Sequence, residues 1–188
     1  MKALHNFIVA PYGSEYNNTK TIAGEQFIVN TTLEDAKYVN RLGVVLSLPV
    51  HYSGNVKKGD VVVLHHNVFR IYYDMQGKQK HSFEYFRDGV YMVDPNKIYL
   101  HSSDGEKWES HLDYCFVRPM RKVQGDIASS STEEEHKGEM VYNTKSQEEM
   151  GIQKGDVIGF TKNSEYAFNL NGEVLYRMRE RDVVLKFN

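Results

Sequence analysis

The sequence has few of the residues or runs that stabilise small secreted proteins or carry a chain through a membrane. Only one of its 188 residues is a cysteine, Cys115, and only four are prolines. A single cysteine excludes an intramolecular disulfide framework and a zinc site built from several cysteines. The first apolar run, residues 7–10, is too short for a signal peptide, and no stretch approaches the ~20 apolar residues of a membrane-spanning helix. We therefore expect a soluble, cytoplasmic protein with no membrane partner.

The sequence also lacks a dominant charge. Lys and Arg number 23 against 25 Asp and Glu, which leaves a formal net charge of −2. General nucleic-acid binders derive much of their affinity from neutralising phosphates with a basic surface. We therefore expect no nucleic-acid partner.

A long segment with the period of an amphipathic helix is missing too, and the best helical candidate, residues 32–38, would make one or two turns. Aromatic residues are numerous instead, with 13 Tyr and 9 Phe. They favour the half-buried surface of a sheet. Short apolar runs bounded by Gly, Asn or Asp recur at residues 7–10, 43–48, 61–64, 90–93, 98–100, 114–117, 157–160 and 183–185. Many short strands separated by turn signals predict an all-β fold, either a sandwich or a barrel.

Four short motifs occur twice along the chain, in the same order. The aligned segments are residues 4–11 with 112–119, 41–45 with 136–140, 56–62 with 152–158, and 97–100 with 182–185. Their offsets of 108, 95, 96 and 85 place the length differences in two surface loops, where insertions cost little. Chance similarity between β segments is the alternative, but the shared order favours duplication. We therefore predict a first domain over residues 1–100, a linker over 101–111 and a second domain over 112–188.

The clearest repeated motif is Lys-Gly-Asp before an apolar run. Gly59 and Gly155 can adopt a positive φ without steric cost, and Asp60 and Asp156 can accept hydrogen bonds from the backbone of a turn. These four residues are predicted to define equivalent turns in the two domains. The motif reports the fold and carries no chemistry.

The long polar segment that follows the first strand contains an apolar triplet, Phe27, Ile28 and Val29. Long loops in compact domains are often functional, so the triplet is either an adhesive site on a loop or simply another strand. The corresponding segment of the second copy, residues 121–136, is rich in Ser and Glu and has no such triplet. An acidic, Ser-rich stretch has little apolar surface to bury, so we expect residues 124–135 to be the most mobile internal segment.

Residues with catalytic or metal-binding chemistry are present but poorly arranged. His65 and His66 are adjacent, and on a strand they would face opposite ways and not share a metal. Cys115 lies in an apolar run and is more typical of a small core residue than of a nucleophile. No spacing of Ser, His and Asp, no phosphate-binding glycine loop and no dinucleotide motif occurs. We therefore expect no enzyme activity, no catalytic residue, no cofactor and no metal.

Together these motifs resemble the chaperonin-10 (GroES) family of co-chaperonins, in tandem. The matching features are the opening strand at residues 4–9, a loop with Gly24, the triplet and Thr31, an Arg-Leu-Gly-Val at 41–44, a Val-x-x-Gly-Asp-x-Val at 56–62, and closing strands at 90–93 and 98–100. The second copy repeats all of them except the triplet. The sequence departs from the family in an added hairpin at residues 72–86 and in lacking a Gly-rich roof hairpin.

The resemblance implies two tandem GroES-like, partly open β-barrels. It also implies a subunit that oligomerises with itself into a ring and caps an ATP-dependent chaperonin of the GroEL type. The triplet would dock on the rim of the chaperonin: a loop that orders on docking binds weakly, and a ring restores affinity by presenting several loops at once. The tandem layout resembles the double-domain co-chaperonins of chloroplasts, and a compact version would suit a bacteriophage acting in its host's cytoplasm. The alternative is a structural or interaction protein of this fold, such as a phage virion or assembly component, with no chaperonin partner.

Overall fold

The computed structural model describes residues 2–15, 19–22, 25–28, 39–121, 133–170 and 172–187. The chain divides into two compact units, Met1–Trp108 and Glu109–Asn188. We call them the first and the second unit. The division falls inside the segment 101–111 that was predicted as a linker. His101 and Ser102 of that segment are buried and belong to the last strand of the first unit.

In the first unit the described strands are β1 (Phe7–Pro11), β2 (Thr19–Ile22), β3 (Glu25–Ile28), β4 (Leu42–Ser47), β5 (Val61–Leu64), β6 (Ile71–Tyr73), β7 (Gln79–His81), β8 (Tyr85–Arg87), β9 (Val90–Val93) and β10 (Ile98–Ser102). Six of these strands lie side by side in the main sheet in the order β10-β5-β4-β1-β9-β8, and neighbouring strands are antiparallel. Strands β2 and β3 form a separate two-stranded sheet, and so do β6 and β7. A 3₁₀ turn, Pro95–Lys97, leads into β10.

The second unit contains β11 (Glu109–Ser110), β12 (Tyr114–Arg121), β13 (Glu133–Tyr142), the helix α1 (Lys145–Glu149), β14 (Val157–Phe160), β15 (Tyr166–Leu170), β16 (Glu173–Arg179) and β17 (Val183–Lys186). Its main sheet has the order β17-β14-β13-β12-β16-β15. A 3₁₀ turn, Glu180–Asp182, leads into β17. Strand for strand, this order matches the main sheet of the first unit.

The two cores are built from corresponding positions. The core of the second unit contains Cys115, Val117, Met140, Ile158, Phe160 and Met178. Under the sequence offsets these correspond to Phe7, Val9, Val45, Val62, Leu64 and Val93, all in the core of the first unit. The units therefore share both their strand order and the positions that face the core.

One close backbone contact also recurs. Gly43 pairs with Pro11 across β4 and β1, and Gly138 pairs with Pro119 across β13 and β12. A Cβ at either glycine would collide with a valine side chain of the neighbouring strand. Glycine at these positions lets the two central strands approach each other.

The all-β class is confirmed. Seven of the eight apolar runs that were predicted to be strands lie wholly in strands, and the eighth, 43–48, extends one residue past the end of β4. The barrels are not confirmed, because in the described part of the chain neither main sheet closes by pairing its two outer strands. The helical candidate at residues 32–38 lies outside the described residues.

Two sequence-based expectations need correction. The hairpin predicted over residues 72–86 is Ile71–His81, formed by β6 and β7, whereas Tyr85 and Phe86 belong to β8 and pair with β9. Within the acidic segment 124–135, residues 133–135 begin β13. Their charge is accommodated, because Glu133 accepts a hydrogen bond from the Tyr176 hydroxyl and Glu134 lies 3.0 Å from the Lys137 ammonium. The rest of that segment lies outside the described residues.

Candidate functional site

Two residues of the apolar triplet, Phe27 and Ile28, lie in the hairpin of β2 and β3, which is not part of the main sheet. In this hairpin Phe27 is opposite Lys20, and Ile28 is opposite Thr19. Val29 lies outside the described residues. Among the described strands, β2 and β3 pair only with each other. The first two residues of the triplet are therefore in a strand, but not in a strand of the core sheet.

Described residues on either side of the segment that carries this hairpin are joined by backbone hydrogen bonds. Its incoming end is Glu15 and its outgoing end is Asn40, and the Asn40 amide donates a hydrogen bond to the Glu15 carbonyl over 2.9 Å. Just beyond, the Tyr12 amide donates to the Leu42 carbonyl over 2.9 Å. The two ends are thus held side by side at the end of the β1–β4 ladder.

The Asn40 side chain adds to this junction and is buried, with 4% of the residue exposed. Its amide nitrogen donates to the Tyr12 and Ser14 carbonyls over 2.9 and 2.7 Å, and its oxygen accepts from the Leu42 amide over 2.9 Å. Sequence reasoning missed this residue. A buried Asn before a strand is a recognisable turn signal, but its partners lie 26 and 28 residues earlier in the chain.

The two predicted Gly-Asp turns have the same geometry. Gly59 has φ +93° and Gly155 has φ +91°. In the first turn the Gly59 amide donates to the Val45 carbonyl over 2.8 Å, and the Asp60 carboxylate accepts from the Lys57 amide over 2.8 Å.

The second turn repeats both bonds. The Gly155 amide donates to the Met140 carbonyl over 2.8 Å, and the Asp156 carboxylate accepts from the Gln153 amide over 2.7 Å. These turns join neighbouring strands of each sheet. They support the fold rather than form a reactive site.

The first unit also exposes an apolar set that the second unit does not reproduce. Its members are Tyr72, Tyr73, Met75, Phe83 and Phe86. Phe83 is 98% exposed, which is unusual for so large an apolar side chain. We call these five residues, four aromatic ones and a methionine, the aromatic surface. Four of them lie in the added hairpin or in β8, and Phe83 lies between those elements.

Residues with reactive side chains are placed as follows. Cys115 is fully buried, and burial raises the pKa of its thiol to about 12, so the thiolate is suppressed. His65 and His66 follow β5 in a turn, and their rings stack with centroids 4.2 Å apart. The expectation that they face opposite ways was therefore wrong, because it assumed that the strand continued through them. No group of three or more His, Cys, Asp or Glu side chains suited to a metal ion occurs among the described residues.

Within the described ranges, no helix is long and apolar enough to cross a membrane. The sequence matches none of the protein-family models and none of the curated proteins with which it was compared. The functional argument therefore depends on the residues of this chain.

Proposed function

We propose that this protein is a co-chaperonin. Each unit is a GroES-like, partly open barrel, and the chain assembles with itself into a ring that caps an ATP-dependent chaperonin of the GroEL type in the cytoplasm. Phe27, Ile28 and Val29 of the first unit make the contact with the chaperonin. The proposal involves no catalytic residue, cofactor, nucleic acid or membrane.

The observation that carries the proposal is the strand pairing of the β2–β3 hairpin. A triplet in an ordinary core strand would pair with the main sheet, whereas Phe27 and Ile28 belong to a hairpin that pairs only with itself among the described strands. The shared strand order and core positions of the units support the tandem arrangement. An apolar segment outside the core sheet of a repeated scaffold is what a lid requires.

Self-assembly has separate support at the sheet edges. An interface built by strand pairing has to use outer strands, because interior strands such as β1 and β12 are already paired on both sides. Strand β17 is an outer strand, and its Val184 and Leu185 are exposed. An apolar edge strand is a ready template for pairing with another chain.

Replacing Phe27, Ile28 and Val29 with Ser tests the proposed contact. Full burial of each apolar side chain contributes ~1.5–3 kcal/mol, so losing three per loop should abolish binding. We expect the variant to keep the wild-type melting temperature and to lose capture by a GroEL-type chaperonin in the presence of ATP. A strongly lowered melting temperature would mean that the triplet is part of a core.

A second candidate function is favoured by the aromatic surface. Aromatic residues are enriched at protein interfaces, and a structural or assembly protein of this fold would bind its partner there. The matched control is therefore the replacement of Tyr72, Tyr73 and Met75 with Ser. Under the co-chaperonin proposal this control still binds the chaperonin. Wild-type protein that binds no chaperonin in any nucleotide state would favour the structural role.

A further inference from the structure

We propose that Asn40, Glu15 and Tyr91 form a clamp that positions the segment carrying the triplet for docking. The inference rests on the proposed function, because docking is the event that the clamp serves. The three residues lie at the base of the segment and outside the triplet.

The Asn40 side chain uses both of its hydrogen-bond donors and its acceptor at this junction. Both donors of its side-chain amide are used on the incoming strand, at the Tyr12 and Ser14 carbonyls. Its side-chain oxygen binds the outgoing strand at the Leu42 amide. Aspartate could not donate the two bonds, and alanine could make none of the three. The side chain therefore ties the two ends of the segment together.

Tyr91 fixes the same junction from the core. The residue is 1% exposed, and its ring packs edge-on against Phe69 with centroids 4.7 Å apart. Its hydroxyl donates to the Glu15 carboxylate over 2.7 Å. Since the ring is held by packing, the hydroxyl is a fixed point to which the incoming end is attached.

The second unit shares one half of this arrangement and lacks the other. Tyr176 corresponds to Tyr91, and its hydroxyl also donates to a glutamate at the base of a loop, Glu133. Asn40 corresponds to Glu135, which lies within β13. There the ladder itself continues, and Arg121 pairs with Glu133 across β12 and β13. The asparagine clamp is therefore specific to the unit that carries the triplet.

Fixing the ends of a segment lowers the entropy that is lost when the segment docks. The two ends of the segment are already held together in the free protein, so the cost of closing the loop is not charged to docking. Preorganisation of this kind raises affinity without adding a contact. A loosened base should therefore weaken docking even though the triplet is intact.

The test uses Asn40→Ala and the gentler Tyr91→Phe, which keeps the ring. Hydrogen–deuterium exchange should accelerate at the Tyr12, Asn40 and Leu42 amides and stay unchanged at the Gly155 amide. Affinity for a GroEL-type chaperonin with ATP should fall about fivefold for Tyr91→Phe, the factor that corresponds to the ~1 kcal/mol net contribution of one hydrogen bond. The loss should be larger for Asn40→Ala.

Tyr176→Phe is the matched control, because it removes the corresponding hydroxyl from the second unit. It should leave chaperonin affinity unchanged, and an equal loss would overturn the assignment. Faster exchange with unchanged or tighter binding would also overturn the positioning role, while leaving the proposed function standing. Unchanged exchange in both clamp variants would show that the clamp does not exist. If the wild-type protein binds no chaperonin, the proposed function and the docking role fail together, and the exchange result still decides whether the clamp holds the base.

Discussion

At the scale of single residues, the two Gly-Asp turns have the same backbone conformation, but the aspartate carboxylates have different neighbours. Asp60 accepts a hydrogen bond from the Ser103 hydroxyl over 2.9 Å, and its other oxygen lies 3.5 Å from the His101 imidazole. Asp156 instead lies 2.6 Å from the Lys186 ammonium. His101 and Lys186 are related by the same offset of 85 that relates the last strands. Each unit thus places a nitrogen of its last strand against the aspartate of its turn.

The Lys186 contact predicts a pH dependence. Its hydrogen bond to Asp156, supported by the bond from the Gln153 amide, lowers the pKa of that carboxyl. A lowered folded-state pKa adds stability above the ordinary Asp pKa of ~3.9, and that stability disappears as the pH falls through the lower, folded-state pKa. We expect Lys186→Met to lower the melting temperature of the second unit at pH 7, and the difference from wild type to shrink below about pH 4. Melting curves between pH 7 and pH 2.5 measure this.

Lys186 also donates a hydrogen bond to the Gly151 carbonyl over 2.7 Å. The backbone carbonyl has no ionisable proton, so a small constant difference should remain at low pH. A difference that stays at its full size at pH 2.5 would show that the carboxylate contributes nothing through its charge.

At the scale of elements, the last strands of the two units differ in burial although each pairs with the strand that follows its Gly-Asp turn. All five residues of β10 are buried, whereas three of the four residues of β17 are exposed. Val184 is 55% exposed. An exposed apolar outer strand either aggregates or is covered by a partner, because its backbone groups can still accept another strand.

A lysine on β17 should therefore prevent the proposed self-association. We expect Val184→Lys to shift the protein to a smaller species in sedimentation velocity, because a charge on an edge strand discourages pairing. Val174→Lys is the matched control, since Val174 is 50% exposed but lies on the interior strand β16. Equal effects of both changes, or no effect of Val184→Lys on an oligomeric wild type, would exclude β17 from the interface.

At the scale of the whole molecule, each unit has its own core, and Cys115 belongs to the core of the second unit alone. Its side chain is fully buried, and its pKa is raised to about 12 by that burial. A thiol reagent at pH 8 can therefore reach it only after the second unit opens. The cysteine is a built-in reporter of one unit.

This reporter should respond to one turn and not to the other. Gly155→Ala forces a side chain into a positive φ, which costs ~1–2 kcal/mol, and should speed Cys115 labelling roughly 5–30-fold. Gly59→Ala imposes the same strain in the first unit, because both glycines have φ near +90° and open space around them. It should leave the labelling rate unchanged, as followed by absorbance of the released chromophore. Equal acceleration by both variants would mean that the units do not open separately.

Several features of this protein follow from local sequence, because neighbouring residues decide them. Apolar runs between turn formers become strands wherever they occur, and Lys-Gly-Asp makes the same turn twice because Gly alone accepts its φ without strain. Helix α1 was missed, yet Thr144 and Gln147 form the capping box that would have revealed it. The repeat and its offsets could also be read from the sequence.

Other features depend on residues brought together from far along the chain. The charged start of β13 is ordered by Tyr176 and Lys137, and the first of these is 43 residues away from Glu133. The Asn40 side chain donates to carbonyls that lie 26 and 28 residues earlier in the chain, and no local pattern indicates which carbonyls these will be. The separation of the β2–β3 hairpin from the core sheet is likewise a matter of strand pairing, which depends on competition among all the strands of the unit. Propensity acts within a few residues, whereas pairing and burial are decided only when the whole chain has packed.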